Sequence, residues 1–446
     1  MRLSPATIGA LPGDVARPAY DRDGQVVGIV HFGIGAFHRA HQAWYTDAAM
    51  NAGDRNWAII GVSLRSADVA AQMNPQGGLY TVTERSAAGW QTRLVGAVRE
   101  VLVATEAREA VIAALAAPTT HIASFTITEK GYCRAADGSL DPALACQGSI
   151  YAFLAEGLRR RHDDGLPGLT LLCCDNLADN GRQLARLMGE YLETNDPALR
   201  GWFETACACP STMVDRIVPA TTEADRAELS ARIGMADHAA VMTESFSQWV
   251  IEDRFAGPRP RWEAVGAQLV ADVRPYETAK LRMLNGAHSL LAYAGLAKGH
   301  SYVHQAIADP ELRQLAESLM LAEAAPTIAE ASGLDLPAYA AALIARFANP
   351  ALEHRLIQIA MDGSQKIPQR WLETLNENEK PCRGILAGID GWIRHIGGAN
   401  GPVDDPLAPE LARAAGSPDP IKALFGPDGL LGHLPDQLCA QLMDRK

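Results

Sequence analysis

Glu277, Lys280, Asn285 and His288 stand in a run that is otherwise mostly Leu, Met, Ala and Gly, PYETAKLRMLNGAHSLL. On an α-helix, at about 100° per residue, setting Lys280 at 0° puts Glu277 at about 60°, His288 at about 80° and Asn285 at about 140°. One arc then holds four hydrogen-bonding groups together with Leu281 and Leu284, so that face should be partly dry. A lysine in a low-dielectric pocket has its pKa drawn down from about 10.4. Such an amine can take a proton from an alcohol. Asn285 and His288 can donate hydrogen bonds to the same oxygen as it gains negative charge. A surface stripe with an i,i+3 Glu277–Lys280 ion pair fits the same spacing. Periodicity alone leaves both readings open.

A second group is Gly33-Ile34-Gly35-Ala36-Phe37-His38, which follows the apolar run QVVGIVHF and precedes a helical stretch starting near Phe37. Strand, glycine turn, helix is the context a dinucleotide site requires. Gly33 permits the tight turn, and Gly35 lets backbone approach a pyrophosphate resting on the helix N–H groups that begin at Ala36. The usual third glycine is replaced by His38, so a plain β-turn is the competing reading. Phe37 and His38 are expected to shape the phosphate and nicotinamide pocket. The acid that ordinarily binds the ribose at the end of the second strand is missing. Arg65-Ser66-Ala67-Asp68 stands there instead. Arg65 suits a 2′-phosphate or an adenine face, and Asp68 could reach the ribose, which leaves NAD and NADP both open. His38 and His41 are three apart without a third ligand, so no metal site is expected.

These groups need elements to hold them. Gln25–Phe32, Trp57–Leu64, His121–Thr128 and Leu169–Cys174 read as buried strands. Stretches such as Glu106–Ala116 read as helices between them, and the alternation predicts a parallel sheet covered on both faces. After about residue 270, Ala, Leu, Glu and Arg dominate, and Pro310, Pro326, Pro337 and Pro350 punctuate segments of helical length. Pro275 suits a first helical turn. The fold class is α/β, with an N-terminal Rossmann-like dinucleotide-binding domain over 1–270 and a mostly α-helical substrate-binding and catalytic domain over 271–446. The segment from Gly397 to Pro427 is richer in Gly and Pro and reads as loops.

With 446 residues, 48% hydrophobic and 21% charged, the composition allows a large core. The net charge of −12, without a basic stripe, speaks against nucleic acid or anionic membrane as a partner. No apolar run reaches the ~18 residues of a membrane span, and the first residues lack the apolar stretch of a signal peptide. The cytoplasm is the expected location. The 8 cysteines form no CxxC pair and read as small buried hydrophobes.

In order, GIGAFHRAHQA (33–43), TITEKGY (126–132), CDNLADNG (174–181), STMVDRIVP (211–219), ESFSQWVIED (244–253) and KLRMLNGAHS (280–289) resemble the polyol-specific long-chain dehydrogenases. The resemblance runs from about residue 25 to about 395. It implies a metal-independent secondary alcohol dehydrogenase with its active site between the two domains. Lys280 matches the family's acid/base, and Asn176 and Asn285 match the pair that cradles the alkoxide. His288 matches the histidine that orients the reactive oxygen, and Glu277 a carboxylate that relays protons to solvent. Asp215 matches a residue near this centre on the substrate side, and Glu129 of TITEKGY a cofactor-side position.

The segment MDGSQKIPQR (361–370) resembles the part that meets the far end of the substrate, with Lys366 as a substrate-binding lysine. Gln358 and Arg370, and the stretch from Ser245 to Gly286, resemble the fructuronate reductase branch rather than the mannitol branch. A uronate carries a carboxylate that mannitol lacks, and a planar guanidinium such as Arg370 binds carboxylates in bidentate fashion. The resemblance therefore implies reversible, NAD-linked reduction of D-fructuronate to D-mannonate, with NADP not excluded. A mannitol- or arabinitol-type polyol dehydrogenase is the alternative, and a binding protein that kept the fold without turnover is a third reading. The expected partner is a small sugar acid or polyol, and many members of the family act as monomers.

Overall fold

The computed structural model describes residues 1–86, 89–145, 148–378, 380–432 and 434. The chain divides into two units, Met1–Val273 and Arg274–Lys446, three residues beyond the point where the composition changes.

In the first unit the buried runs form the core of a sheet. β1 (Val27–Phe32), β2 (Ala58–Ser63), β5 (Val98–Val103), β6 (Ile122–Phe125) and β7 (Thr170–Cys173) stand in the order β5-β2-β1-β6-β7, every neighbour parallel. A parallel strand covered on both faces has no solvent side, which is why VGIVHF is apolar almost throughout and buried beyond its first residue. Chain order reverses between β1 and β6, and ligands of such sheets sit where it does so, outside the carboxyl ends of the strands. The strand expected over 121–128 stops at Phe125, because Thr126 leaves the ladder and turns across the end of β1.

Two smaller sheets were not legible as buried runs. β3 (Tyr80–Ser86) and β4 (Gly89–Val95) pair antiparallel, and β9 (Val241–Glu244) joins β3 in parallel. β8 (Thr212–Asp215), β10 (Gln248–Glu252) and β11 (Gln268–Val270) form the other. β4 has one face toward solvent, so its residues mix Trp, Gln, Thr and Arg rather than running apolar.

The helices that matter for the site are, in the first unit, α1 (Ala36–Ala40), α2 (Gln42–Asn51), α3 (Arg108–Ala116), α4 (Ile150–Asp163) and α5 (Asn180–Asn195). The helix expected near Phe37 starts at Ala36 and is interrupted at His41, which has φ −121° and ψ −95°. In the second unit they are α6 (Arg274–Ala279), α7 (Gly286–Ala297), α8 (Gly363–Ile367), α9 (Glu373–Glu377) and α10 (Arg383–Ile396). The loops expected from Gly397 to Pro427 are corrected in part. α11 (Ala408–Ala415) and α12 (Pro420–Phe425) form there, each started by a proline in its first turn.

The reading of 277–288 as one α-helix also needs correction. Lys280–Asn285 is π-helical and lies between α6 and α7. Two more π segments occur among the described residues, Leu319–Ala324 and Pro368–Leu372, and both pack against the first. A π turn closes i→i+5, so angles taken at the α spacing do not carry across it.

Of the described cysteines, Cys133, Cys173, Cys174, Cys209 and Cys382 are buried as expected and Cys207 is half-buried, while Cys146 and Cys439 lie outside the described residues. Among the described residues no helix is long and apolar enough to cross a membrane.

α7 and α10 approach closely at Gly391. A Cβ there would lie 2.9 Å from the carbonyl carbon of Tyr293 and 3.0 Å from the nitrogen of Ala294. Backbone cannot step aside as a side chain can. Gly391→Ala should therefore cost about 1–3 kcal/mol, read as a lower urea midpoint. An unchanged midpoint would contradict the close packing.

Candidate active site

At the end of β1 the chain must turn at once. Gly33 has φ +94°, and a Cβ on it would come within 2.0 Å of the Thr126 carbonyl oxygen, so only glycine fits. The turn is braced from below. The Thr126 hydroxyl donates to the Gly33 carbonyl at 2.7 Å, and His31 Nε2 lies 2.9 Å from that hydroxyl. His31 Nδ1 lies 2.8 Å from Ser124 Oγ, whose hydroxyl donates to Gln42 Oε1 at 2.8 Å. His38 stacks on His31 with ring centroids 3.4 Å apart.

Above the turn, the ends of β1 (Gly33–Gly35), β2 (Ser63–Ser66) and β6 (Thr126–Thr128) wall a cavity of about 430 Å³. Gly35 is exposed there, with nothing but the Gly33 carbonyl, at 3.9 Å, near the space a Cβ would take. Backbone is thus open to a ligand's phosphates. Arg65 is exposed on the wall and has no acidic partner among the described residues. Asp68 lies off the wall, its carboxylate accepting from the Ser66 hydroxyl at 2.7 Å.

The expected cofactor residues therefore separate. Gly33, Gly35 and Arg65 wall the cavity. Ala36 and Phe37 follow it on α1 half-buried, and Phe37 stacks on His41 at 5.0 Å. Glu129 is exposed between two wall residues, Thr128 and Lys130. His38, expected to shape the cofactor pocket, has a fully buried side chain beneath the turn, out of reach of any ligand in the cavity.

The ends of the next strands carry the remaining groups of this unit. Asp175 and Asn176 follow β7, with Asn176 exposed, and the buried Asp215 ends β8. Asn180, at the start of α5, ties the two ends. Its Nδ2 donates to the Thr212 carbonyl at 2.8 Å and the Asp175 carbonyl at 3.1 Å, and its Oδ1 accepts from Thr212 N at 2.9 Å.

In the second unit, Glu277, Lys280 and Asn285 are half-buried and His288 is 9% exposed, which fits a partly dry face. This helix is clamped from one side. Arg282 donates to Glu377 at 2.9 Å, Glu373 at 3.3 Å and the Thr327 carbonyl at 3.2 Å. Trp371 Nε1 donates to the Gly286 carbonyl at 3.2 Å. Arg370 Nη1 donates to Ser289 Oγ at 2.8 Å and the Asn285 carbonyl at 3.3 Å, with no carboxylate paired to it among the described residues. Burial lowers its pKa from the ordinary arginine value.

Lys366 lies one turn before Arg370 on α8 and spends donors on the carbonyls of Met361, at 2.6 Å, and Ile359, at 3.4 Å. Burial, then the Arg370 charge, draws its amine down. His288 is held well below the usual histidine range by burial, then by His354, Arg346 and Arg370. Its ring lies 5.3 Å from that of His354 and 4.7 Å from Phe347. A neutral imidazole can donate a hydrogen bond to an oxygen that gains charge. His354, Arg282 and Asp175 were missed from the sequence. Asp175 alone had a signal, as a carboxylate at a strand end beside Asn176.

Both units match one family. The mannitol dehydrogenase Rossmann domain matches residues 27–264, and the mannitol dehydrogenase C-terminal domain matches 272–441. The chain belongs to the mannitol dehydrogenase family. Among its relatives in this family, D-mannonate oxidoreductase of Escherichia coli (strain K12) is 41% identical over 93% of this chain and 91% of its own length. A mannitol 2-dehydrogenase of Pyricularia oryzae is 38% identical over 95% and 91%. The Pseudomonas fluorescens mannitol 2-dehydrogenase, solved as a ternary complex with NAD and D-mannitol, superposes with a TM-score of 0.81 at 32% identity, covering 100% of this chain and 96% of that one. A mannitol dehydrogenase family oxidoreductase with a Rossmann domain is thus established, and identity near 40% to relatives of different substrate does not fix what it reduces.

The imidazoles under the turn carry a pH consequence. Burial lowers His31 to about 3, and burial followed by the neighbouring His31 charge lowers His38 well below its usual value. The unfolded chain takes up these protons near pH 6.5 and the native chain does not, so stability is whole above about 6.5 and drains as pH falls toward 3. Melting temperature should drop between pH 7 and pH 5, and His38→Leu should flatten that drop. An equally steep drop in the variant would remove His38 from the account.

Proposed function

We propose that the chain is an NAD(H)-dependent, metal-independent dehydrogenase that reversibly reduces D-fructuronate to D-mannonate. The supporting observation is Arg370, a half-buried guanidinium without a carboxylate partner among the described residues, bonded to Asn285 and Ser289. A charged fork left unneutralised beside a dry helix suits the carboxylate of a uronate. The 41% identity to D-mannonate oxidoreductase is consistent with that choice.

In this reading Gly33, Gly35 and the cavity at the strand ends hold the dinucleotide, which supplies or takes up a hydride when bound. Lys280 moves the proton. In the direction of alcohol oxidation its neutral amine takes the hydroxyl proton as the carbon loses hydride, and Glu277 passes that proton toward solvent. Asn176 and Asn285 donate N–H groups to the oxygen while it carries negative charge. His288, kept neutral by burial, orients the oxygen by hydrogen bonding, and Asp215 steadies the substrate side. Arg370 fixes the carboxylate, with Lys366 adding positive potential although its donors already serve backbone carbonyls. That occupied lysine, with the relative at 38%, favours the second reading, a neutral polyol or ketose such as mannitol and fructose or arabinitol and xylulose.

Lys280→Ala should lose about 10²–10⁴-fold in turnover, the usual worth of a positioned acid/base. NADH titration should stay unchanged. Near-normal turnover would end the assignment. Hydrogen bonds to charged groups contribute ~1.5–3 kcal/mol, so Arg370→Ala should lower kcat/KM for fructuronate by about 10–100-fold more than for fructose, which would lose only through the freed Asn285 carbonyl. The deciding measurement is kcat/KM for fructuronate, tagaturonate, fructose and xylulose, each with NADH and NADPH. A higher value for a neutral ketose would overturn the uronate reading.

A further inference from the structure

Thr128 stands on the wall of the dinucleotide cavity with φ +64° and ψ 165°. That region of backbone space is close to glycine-only, and a β-branched residue enters it only where its surroundings force it. The force is visible. The Asp175 carboxylate accepts from Ile127 N at 2.8 Å and the Tyr132 hydroxyl at 2.7 Å through Oδ2, and from Thr128 N at 3.2 Å through Oδ1. It grips the segment before the strained residue, at it and four residues after it. The anchor is itself fixed. The Asp175 carbonyl accepts from Asn180, which is bonded twice to Thr212, and Cys174 N donates to the Phe125 carbonyl at 2.8 Å. Tyr132 is buried, and its hydroxyl also lies 2.8 Å from Cys173 Sγ at the end of β7, so both of its contacts hold it beside the Asp175 carboxylate.

We propose that Asp175 is a positioning residue of the dinucleotide site: its carboxylate holds residues 126–132 in a shape that Thr128 would not adopt unaided, and that shape forms one wall of the cofactor cavity. Without the carboxylate, Thr128 relaxes to negative φ and the wall moves. Glycine at 128 has no such preference, so it keeps the wall shape accessible when the grip is gone.

The test is NADH titration by fluorescence on the full-length protein, with a melting curve for each variant. Asp175→Ala should raise the NADH Kd at least 10-fold. Asp175→Ala with Thr128→Gly should return to within about 3-fold of Thr128→Gly alone. A residue that merely supported the fold would show no rescue of NADH affinity by glycine at 128, whatever the melting temperature of the double variant. Wild-type NADH affinity in Asp175→Ala would overturn the proposal, as would a double variant that binds as poorly as Asp175→Ala. Should Asp175→Ala not fold, Tyr132→Phe removes one of the three bonds and should raise the Kd about 3-fold, a rise that Thr128→Gly cancels. No rise, or no cancellation, would count against the proposal.

Discussion

The first unit depends on a steric fact at one atom. β1 ends against the Thr126 carbonyl so closely that residue 33 can have no side chain, and it must take a left-handed φ. Everything around that point serves to keep the turn in place. The hydroxyl of Thr126, the ring of His31 and the hydroxyl of Ser124 form a buried polar chain under it, while the same segment continues into the wall above it. Buried polar groups rigidify a core when they are satisfied by one another. Here the rigidity is delivered to a turn whose backbone lies open on the cavity wall.

The second unit solves a different problem. Its site helix carries a π turn, a wider and less favourable spiral, where the candidate proton carrier begins and the candidate amide ends. Such a segment needs outside support. Arg282 reaches two carboxylates and a carbonyl, and Arg370 and Trp371 reach the carbonyls of Asn285 and Gly286. Two further π segments pack on the first, so the irregular spiral is matched by irregular neighbours.

What the sequence disclosed follows from the physics of each element. Four of the five strands of the parallel sheet were readable because strands buried on both faces leave uninterrupted apolar runs, as in VGIVHF and TLLC, whereas the edge strand β5, VREVLV, carries Arg99 and Glu100 and was not legible. β4 escaped because a strand with one wet face, GWQTRLV, looks like ordinary surface. The glycine turn was readable because Gly33 is required by geometry. His38 next to it was misplaced, since spacing cannot tell a side chain above a turn from one below it. The partly dry face at 277–288 was anticipated from the residue pattern, yet the π turn was not, since nothing local in KLRMLN marks it and the segments that pack on it, Leu319–Ala324 and Pro368–Leu372, lie far along the chain. Asp175 shows the same limit: its three partners lie more than forty residues upstream in the chain.

The bond from Arg370 to the carbonyl of Asn285 joins two tasks in one residue. In the proposed reading Asn285 presents its side-chain amide to one end of the substrate while its main chain accepts from the group that would sense the other end, so recognition and chemistry would share a mechanical footing. An engineer who exchanges the side chain at 370 to admit a new sugar would also loosen the platform under the amide, so selectivity and rate should drift together unless a second change restores a donor to that carbonyl.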